Sequence, residues 1–291
     1  MTPVPEACVK TVESRRERCY IPRVSRIRIL VQYDGSEFCG WQRQKGVRTV
    51  QRELEDAIER FTGSPTVVRG AGRTDAGVHA HCQVAAFDTA ASIPPRGWVY
   101  GLTSLLPHDV SVLEARVVSG DYDPRRMSGG KRYRYLLLLR AIRDPLLRNR
   151  AWCLHDRLDV AKLRGAASVL VGTHDFAAYR ASDCERKSTV RTLFRVNVVE
   201  SYGSRSDVVA IEVEGTAFLK NMVRVITGTL VDVARGRLPS ERPAELLTSG
   251  DRTRAGVTAP AHGLYLDEVF VRPEFRLPDD SLRVPPVRDA G

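Results

Sequence analysis

The stretch "RIRILVQY", residues 26–33, is typical of a β-strand, and it opens a pattern of elements that occurs twice in the chain. Residues 49–62 predict a helix, because their apolar side chains recur on one stripe and a glycine and a proline follow. Four more elements complete the first pattern, namely two strands, a helix that begins with a proline and a last strand, at residues 66–69, 81–88, 95–105 and 110–118. The order of this half is therefore βαββαβ.

The same order begins again with the strand "KRYRYLLLLR", residues 131–140. It is followed by a helix at residues 159–171 and by two strands at 191–200 and 207–214. A long helix at 217–235, a short helix after Pro243 and the strand "LYLDEVFV" at 264–271 complete the pattern. Two such units predict an α+β fold of two tandem ferredoxin-like halves, each with an antiparallel sheet, and a cleft between them. The expected boundaries are a basic N-terminal arm, the two halves and a C-terminal tail, at residues 1–24, 25–120, 121–272 and 273–291.

The charge of the chain favours a polyanionic partner. Its 291 residues include 45 Lys and Arg against 35 Asp and Glu, which gives a net charge of +10, and the arginines are spread along the chain. The hydrophobic content of 43% is that of an ordinary soluble globular protein. Because sheets of this type often bind single-stranded RNA, a nucleic acid is the expected partner.

Composition also argues against several classes of protein. The first twenty residues are polar and charged where a signal peptide needs an apolar region, and no run approaches the ~18 apolar residues of a membrane span. None of the six cysteines forms a CxxC pair, so a zinc knuckle or a thioredoxin-type site has no support. We therefore expect a cytoplasmic protein with reduced thiols and no contact with a membrane.

The loop "GAGRTDAGVHAHCQVAAF", residues 70–87, contains Asp75 without a second carboxylate within ten residues on either side. An aspartate in a glycine-rich turn can serve local hydrogen bonds alone, or it can be the single reactive carboxylate of a cleft. His79 and His81 lie two residues apart and can share a face of a strand, where Asp75 would complete a metal site. Two ordinary histidines at the start of a strand are the simpler interpretation.

Two further segments carry candidate side chains. In "KRYRY", residues 131–135, Tyr133 and Tyr135 share one face of a strand, where they can stack on an unpaired base or pack in the core. In "FLKNMVRVITGTLVDVARG", residues 218–236, Lys220 and Arg224 lie together off the apolar stripe of the predicted helix. Such a pair usually belongs to a solvated face, although Gly228 after Arg224 would let another backbone pack close by.

Together these motifs resemble the tRNA pseudouridine synthase A (TruA) family. The similarity rests on "YDGSEFCGWQRQ", "GRTDAGVHA", "KRYRY", "GTHDF", "FLKNMVR" and "APAHGLYL", in this order, and it covers about residues 26–271. The motif "GRTDAGVHA" is specific, whereas "GTHDF" or "KRYRY" alone would be weak. One segment departs from the family pattern, because "YDPRRMSGGKRYRY" (122–135) replaces a plainer F-x-A-R-F-S and keeps only the basic position, at Arg125.

The resemblance implies a role for each of four residues. Asp75 would be the catalytic aspartate, Tyr133 the tyrosine beside the target base, and Arg224 the arginine that pairs with the catalytic carboxylate. Arg73 would help to displace the target nucleotide. The family isomerises uridine to pseudouridine at positions 38, 39 and 40 of the tRNA anticodon stem-loop, it uses no cofactor, and its bacterial members form homodimers.

The residue types agree with this chemistry. The reaction breaks the N-glycosidic bond, turns the uracil and rejoins it through carbon, so it needs neither a redox step nor a metal-activated water. One carboxylate can act as nucleophile or base, and an arginine in two parallel hydrogen bonds would lower its pKa. The target uridine must leave its stack and be held against an aromatic ring. The glycines of the loop would let the RNA backbone come close to Asp75.

Two other functions remain open at this point. A non-enzymatic RNA-binding protein made of two ferredoxin-like halves would account for the charge and the tyrosines, but not for Asp75 or Arg224. A metal-dependent hydrolase would use Asp75 with His79 and His81. Bound-metal measurements test the hydrolase, and incubation with unmodified tRNA separates a synthase from a simple RNA-binding protein.

Overall fold

A computed structural model describes residues 24–272, so all but Val24 of the expected N-terminal arm and the whole C-terminal tail lie outside the described residues. The strands are β1 (Ser25–Tyr33), β2 (Arg69–Gly70), β3 (His79–Thr89), β4 (Val110–Val118), β5 (Ser128–Leu139), β6 (Trp152–Leu154), β7 (Gly172–Asp175), β8 (Val190–Val199), β9 (Val208–Gly215) and β10 (Leu264–Val271). The α-helices are α1 (Val50–Thr62), α2 (Pro95–Leu105), α3 (Val160–Ser168), α4 (Met222–Ala234) and α5 (Arg242–Ser249).

Within residues 24–272, all ten strands belong to one mostly antiparallel sheet, which confirms the α+β class. Its order is β4-β1-β3-β10-β5-β9-β8-β7, with β2 added to β3 and β6 added to β5. The two separate sheets that we expected form one continuous sheet, because β3 and β10 pair in parallel. In this pairing His79 lies opposite Tyr265, and Ala80 lies opposite Leu266. Strands from both parts of the chain therefore meet directly beside the loop that carries Asp75.

The two parts of the chain have the same strand order. In the first the order is β4-β1-β3-β2, and in the second it is β10-β5-β9-β8. In the first part, β1 lies between β4 and β3, and α1 connects β1 to β2. In the second part, β5 lies between β10 and β9, and α3 lies in the connection from β5 to β8. The strands β6 and β7 are absent from the sequence prediction, because segments of three and four residues are too short to show a period.

The strand β5 shows how the sheet separates the core from the charged surface. Tyr133 and Tyr135 face the core and are 7% and 0% exposed, whereas Arg132 and Arg134 face the other side and pair with carboxylates of β9 and β10. This alternation confirms the arrangement predicted from "KRYRY". Tyr133 consequently points to the side of the sheet on which the helices pack.

The helix α4 lies in the middle of the core, since every one of its residues except Arg224 is buried. It begins at Met222 and not near residue 217, because Asn221 has a left-handed backbone (φ 59°) that no helix continues through. Lys220 therefore lies outside the helix, contrary to the prediction. No helix within residues 24–272 is long and apolar enough to cross a membrane.

Candidate active site

The loop that carries Asp75 connects β2 to β3, and the segment before α1 supports it from behind. The backbone N–H of Trp41 donates to the carbonyl of Thr74 (3.1 Å), and that of Gly77 donates to the carbonyl of Phe38 (3.1 Å). Phe38 and Trp41 are buried. The motifs "YDGSEFCGWQRQ" and "GRTDAGVHA" thus form one packed unit, which fixes the backbone on both sides of Asp75.

Two side chains of the sheet hold the same loop from below. The hydroxyls of Tyr33 and Thr74 are 2.8 Å apart, and Nε2 of Gln83 donates to the carbonyl of Gly72 at 3.0 Å. Both Tyr33 and Gln83 are buried, so the loop rests on a rigid surface. A catalytic group on a loop needs such support, because an error of about 1 Å in its position costs a large part of the rate.

The carboxylate of Asp75 is partly buried and lies in front of the first turn of α4. Its Oδ2 accepts a hydrogen bond from the backbone N–H of Asn221 at 3.3 Å. Burial raises the pKa of Asp75 above its ordinary value, although the Asn221 N–H and the charges of Arg224 and Lys220 act in the opposite direction. Burial is the largest of these effects, so Asp75 holds a proton more readily than an exposed aspartate.

Arg224 is fixed by groups other than Asp75. Its Nε donates to the carbonyl of Ala259 (2.7 Å) and its Nη1 donates to Oδ1 of Asn221 (2.8 Å). The chain at Ala259 approaches this closely because Gly228 has no side chain, and a Cβ there would lie 1.8 Å from the carbonyl oxygen of Val257. The close backbone contact expected at Gly228 is therefore confirmed.

The expectation of two parallel hydrogen bonds between Arg224 and Asp75 is wrong in this structure. Among the described residues no hydrogen bond or ion pair joins the two side chains, and Asn221 lies between them with a contact to each. The guanidinium still acts on Asp75 through its charge. The expected lowering of the Asp75 pKa is also overturned, because burial outweighs that charge.

Tyr133 reaches the same site from β5. Its ring contacts the ring of Phe218 edge-on, with centroids 4.9 Å apart. Burial raises the pKa of its hydroxyl, and the nearby charge of Asp75 raises it further, so the phenol stays neutral. Within residues 24–272 the Tyr133 hydroxyl makes no hydrogen bond, and it is not among the enclosed polar atoms that lack a partner. It is therefore open to a ligand.

Arg73 lies two residues before Asp75 on the loop. Its side chain is exposed, and in the described part of the chain it has no hydrogen bond or ion pair. The structure thus brings Asp75, Tyr133 and Arg224 to one place, and it leaves the guanidinium of Arg73 exposed on the same loop as Asp75. An exposed, unpaired arginine is a suitable donor to a phosphate or a base.

The histidines of the loop are already engaged. Nδ1 of His79 accepts the N–H of Gly35 (3.0 Å), and its Nε2 donates to the carbonyl of His262 (3.1 Å). His79 and His81 stack on the ring of Tyr265, with centroids 4.7 and 5.0 Å away. No group of three His, Cys, Asp or Glu side chains between residues 24 and 272 is placed to hold a metal, so the metal-site hypothesis has no geometric support.

Two contributors to the site are missing from the sequence prediction. Asn221 contacts both Asp75 and Arg224, and the carbonyl of Ala259, in the motif "APAHGLYL", accepts from Arg224. An asparagine just before a buried helix is a recognisable signal for a helix start. The contacts of the Asn221 backbone N–H and of the Ala259 carbonyl depend on the fold, so the residue types do not predict them.

Comparisons with known proteins agree with these motifs. A family model described as tRNA pseudouridine synthase matches residues 29–124 and 166–270. The chain is 49% identical over 255 residues to tRNA pseudouridine synthase A of Myxococcus xanthus, which covers 87% of this chain and 95% of the relative. It is 44% identical over 245 residues to tRNA pseudouridine synthase A of Geobacter sp. (strain M21), or 84% of this chain and 98% of the relative. With matches of this extent, the chain belongs to the tRNA pseudouridine synthase A family.

Proposed function

We propose that this protein isomerises uridine to pseudouridine at positions 38, 39 and 40 of the tRNA anticodon stem-loop, with Asp75 as the single catalytic aspartate. The observation that carries the proposal is the placement of one partly buried carboxylate between the Asn221 N–H, the Arg224 charge and the ring of Tyr133. A uridine flipped out of an RNA stack can present its base and ribose to this carboxylate.

The proposed chemistry needs one reactive carboxylate. Asp75 attacks the nucleotide or accepts its proton, and the bond between N1 of uracil and the ribose breaks. The uracil then turns and rejoins the ribose through C5, C5 loses its proton while N1 gains one, and Asp75 is released unchanged. Atoms balance without an oxidant or a second substrate, so we propose no cofactor and no metal. The ring of Tyr133 holds the uracil while it is detached, and a neutral phenol suits this purpose.

The two arginines have separate parts in this proposal. Arg224 stabilises the ionised form of Asp75 through its charge and keeps Asn221 in place through its hydrogen bond. Arg73 occupies the space or the contacts that the target nucleotide leaves when it flips out of the stack, since its side chain is exposed and unpaired among the described residues. The net charge of +10 attracts the tRNA.

We further propose that residues 25–120 and 121–272 are tandem ferredoxin-like halves, flanked by the basic arm and the C-terminal tail. The equal strand order of the two parts supports this division. The resemblance of the motifs to the family implies a homodimer, and a tRNA substrate is consistent with action in the cytoplasm. Size-exclusion chromatography with light scattering would measure twice the mass of the chain for a homodimer.

The test uses the purified protein and an unmodified tRNA transcript with uridines at positions 38–40. Pseudouridines are mapped by chemical derivatisation and reverse transcription after incubation with wild type and with Asp75→Asn. Pseudouridine at one or more of these positions, formed by wild type alone, supports the proposal. RNA binding without product would favour the non-enzymatic RNA-binding protein, and product at other positions only would refute the assignment of the sites.

A further inference from the structure

The ammonium group of Lys131 is set into the protein beside the loop of Asp75. Its stem packs against Gly72, where an added Cβ would lie 2.8 Å from Cε of Lys131. A side chain at position 72 would therefore displace the lysine. Lys131 precedes Tyr133 by two residues on β5, so the two side chains share one face about 6.7 Å apart along the strand.

This ammonium has no anionic partner in the described part of the chain. Its one polar contact is the hydroxyl of Ser128, 3.4 Å from Nζ. The strands on either side present Gly215 and Val269 at this position, and neither carries a charge. By contrast, the adjacent Arg132 pairs with carboxylates of β9 and β10. Glu214 and Glu268, the carboxylates that β9 and β10 place next to this position, thus lie on the far face of the sheet.

The charged group that acts on Lys131 is a second cation, Arg125. Oδ1 of Asp123 accepts the backbone N–H groups of Arg125 and Arg126 at 2.9 and 3.0 Å, so this carboxylate fixes the turn. The guanidinium of Arg125 is exposed and has no ion pair within residues 24–272. Burial and the charge of Arg125 together lower the pKa of Lys131 to about 8.

A largely buried ammonium without an anionic partner among the described residues is unfavourable in the free protein. A bound anion would remove this cost, and the substrate of the proposed function is a polyanion. We propose that Lys131 binds one phosphate of the RNA backbone next to the target uridine. The proposal rests on the proposed function, since it takes RNA as the ligand of the cleft.

The position of Lys131 limits which phosphate is meant. A base held against Tyr133 carries its own ribose and phosphates within a few ångströms of the ring, and Lys131 lies on the same face at that range. The loop of Asp75 contacts the stem of Lys131 at Gly72, so the ammonium lies close to this loop as well. The phosphate therefore belongs to the flipped nucleotide or to its immediate neighbour, and the contact helps to hold the backbone in the flipped geometry.

A phosphate on Lys131 would make binding depend on pH in a defined direction. The phosphate raises the pKa of Lys131 above its value of about 8 in the free protein. The affinity is then constant below that pH and decreases as the pH rises above it, while a proton is taken up on binding.

The first measurement is the binding of an anticodon stem-loop RNA to Asp75→Asn, which keeps the cleft and prevents turnover. Lys131→Met keeps the stem against Gly72 and removes the charge. We expect about tenfold weaker binding at pH 7, because a charged hydrogen bond is lost. The slope of log affinity against log salt should fall by about 0.7–0.9, and the decrease above pH 8 should disappear. Lys131→Arg should bind RNA at pH 7 and lose the pH dependence.

Lys162→Met, on the exposed side of α3, is the matched control and should change neither the affinity at pH 7 nor its pH dependence. Thermal unfolding verifies that Lys131→Met is folded. The second measurement replaces single phosphates around the target uridine by neutral methylphosphonates. One position should weaken binding to the protein with Lys131 and leave binding to Lys131→Met unchanged.

Equal affinity of Lys131→Met and its parent, or the absence of any methylphosphonate position that is coupled to Lys131, would overturn the subsite. Failure of the proposed function has a different outcome, because wild type would then form no pseudouridine on any tRNA tested. If one phosphate is coupled to Lys131 but the protein forms no pseudouridine, the phosphate subsite is supported and the synthase activity is refuted. If pseudouridine forms but no phosphate is coupled to Lys131, the synthase activity is supported and the subsite is refuted.

Discussion

Asn221 donates its backbone N–H to Oδ2 of Asp75 at 3.3 Å, and it does so from a left-handed conformation. Asparagine adopts φ > 0 more readily than most residues, so it can end the preceding segment and begin α4 in one step. Its side chain turns the other way and accepts from Arg224 at 2.8 Å. One residue thereby positions both charged groups of the candidate site.

Asn221→Gly and Asn221→Ala separate the backbone contribution from that of the side chain. Glycine keeps the left-handed conformation and the N–H to Asp75, so we expect stability within about 1 kcal/mol of wild type and a lower single-turnover rate. Alanine disfavours φ > 0 and should cost a further ~1–2 kcal/mol of unfolding free energy, measured in urea. Equal stability of the two variants would show that the left-handed conformation is not retained in solution.

Asp75→Asn should abolish pseudouridine formation and keep tRNA affinity, because phosphate contacts supply most of the binding. It should also raise the Tm slightly at neutral pH, since burial disfavours the charged form of Asp75 in the folded state. Binding, product mapping and thermal unfolding test the three statements. Product above trace levels would remove Asp75 from the catalytic role.

The pH profile follows from the direction of the Asp75 pKa. If the reaction uses the carboxylate of Asp75, its rate is full above that pKa and falls as the pH decreases through it. Because the pKa of Asp75 is raised, this decrease on the acid side of the profile occurs at higher pH than for an exposed aspartate. Lys220 lowers the pKa of Asp75 and Asp183 raises it, and the two side chains pair at 2.6 Å. Lys220→Met should move the acid limb of the rate to higher pH.

Asp183→Asn, the matched variant, should move the same limb to lower pH. The measurement is the single-turnover rate between pH 4.5 and 8 for both variants and wild type. Shifts in one common direction would contradict the electrostatic assignment, because the two charges have opposite signs.

Some of these relationships follow from the sequence and others depend on the fold. The period of two in "KRYRY" predicts that Tyr133 and Arg132 occupy opposite faces, as the structure shows. The apolar period of residues 218–236 continues through Asn221, so nothing in it predicts a left-handed residue there. The pairing of β3 with β10 joins segments far apart in the chain, and no local pattern encodes it.

The resemblance to the family brings Asp75 and Arg224 together without giving their hydrogen bonds. Which acceptors the guanidinium takes depends on how closely the chain at Ala259 approaches α4. That approach is set by the contact of Gly228 with Val257, which the sequence shows only as a small residue in a helix. Packing at this distance is decided by tertiary structure.

Arg224→Met should lower both stability and rate. It leaves the carbonyl of Ala259 and Oδ1 of Asn221 without their donor, and each such loss costs about 1–3 kcal/mol when the group is buried. Loss of the charge raises the pKa of Asp75 further, so the rate near pH 6 should fall at least tenfold, or ~1.4 kcal/mol. Arg224→Lys keeps the charge and cannot reach both acceptors, so we expect an intermediate rate.

The control for Arg224 is Arg164→Met, which breaks an exposed ion pair with Glu200 and should change stability by less than ~1 kcal/mol. Urea unfolding and single-turnover rates at two pH values distinguish the effects. If Arg224→Met loses stability while its rate and pH profile match wild type, the arginine is structural only.

Tyr133→Phe and Tyr133→Leu test how the site holds the detached uracil. The phenylalanine keeps the edge contact with Phe218 and removes a hydroxyl that has no hydrogen bond within residues 24–272. Its stability should stay within about 1 kcal/mol of wild type, and its rate should fall only slightly if the ring supports the base. Leucine removes the aromatic face, and base stacking is worth about 1–3 kcal/mol, so the single-turnover rate should fall tenfold or more.

Tyr135→Phe is the matched control on the same face of β5, because the hydroxyl of Tyr135 donates to the carbonyl of Pro260 at 2.7 Å. Losing that bond should cost about 1 kcal/mol of stability with no specific effect on the chemical step. The informative result is the ratio of the two Tyr133 rates at saturating tRNA. A large ratio assigns the function to the ring. Equally slow Phe and Leu variants would assign it to the hydroxyl of Tyr133, which would then donate or accept a proton next to Asp75 rather than stack on the base.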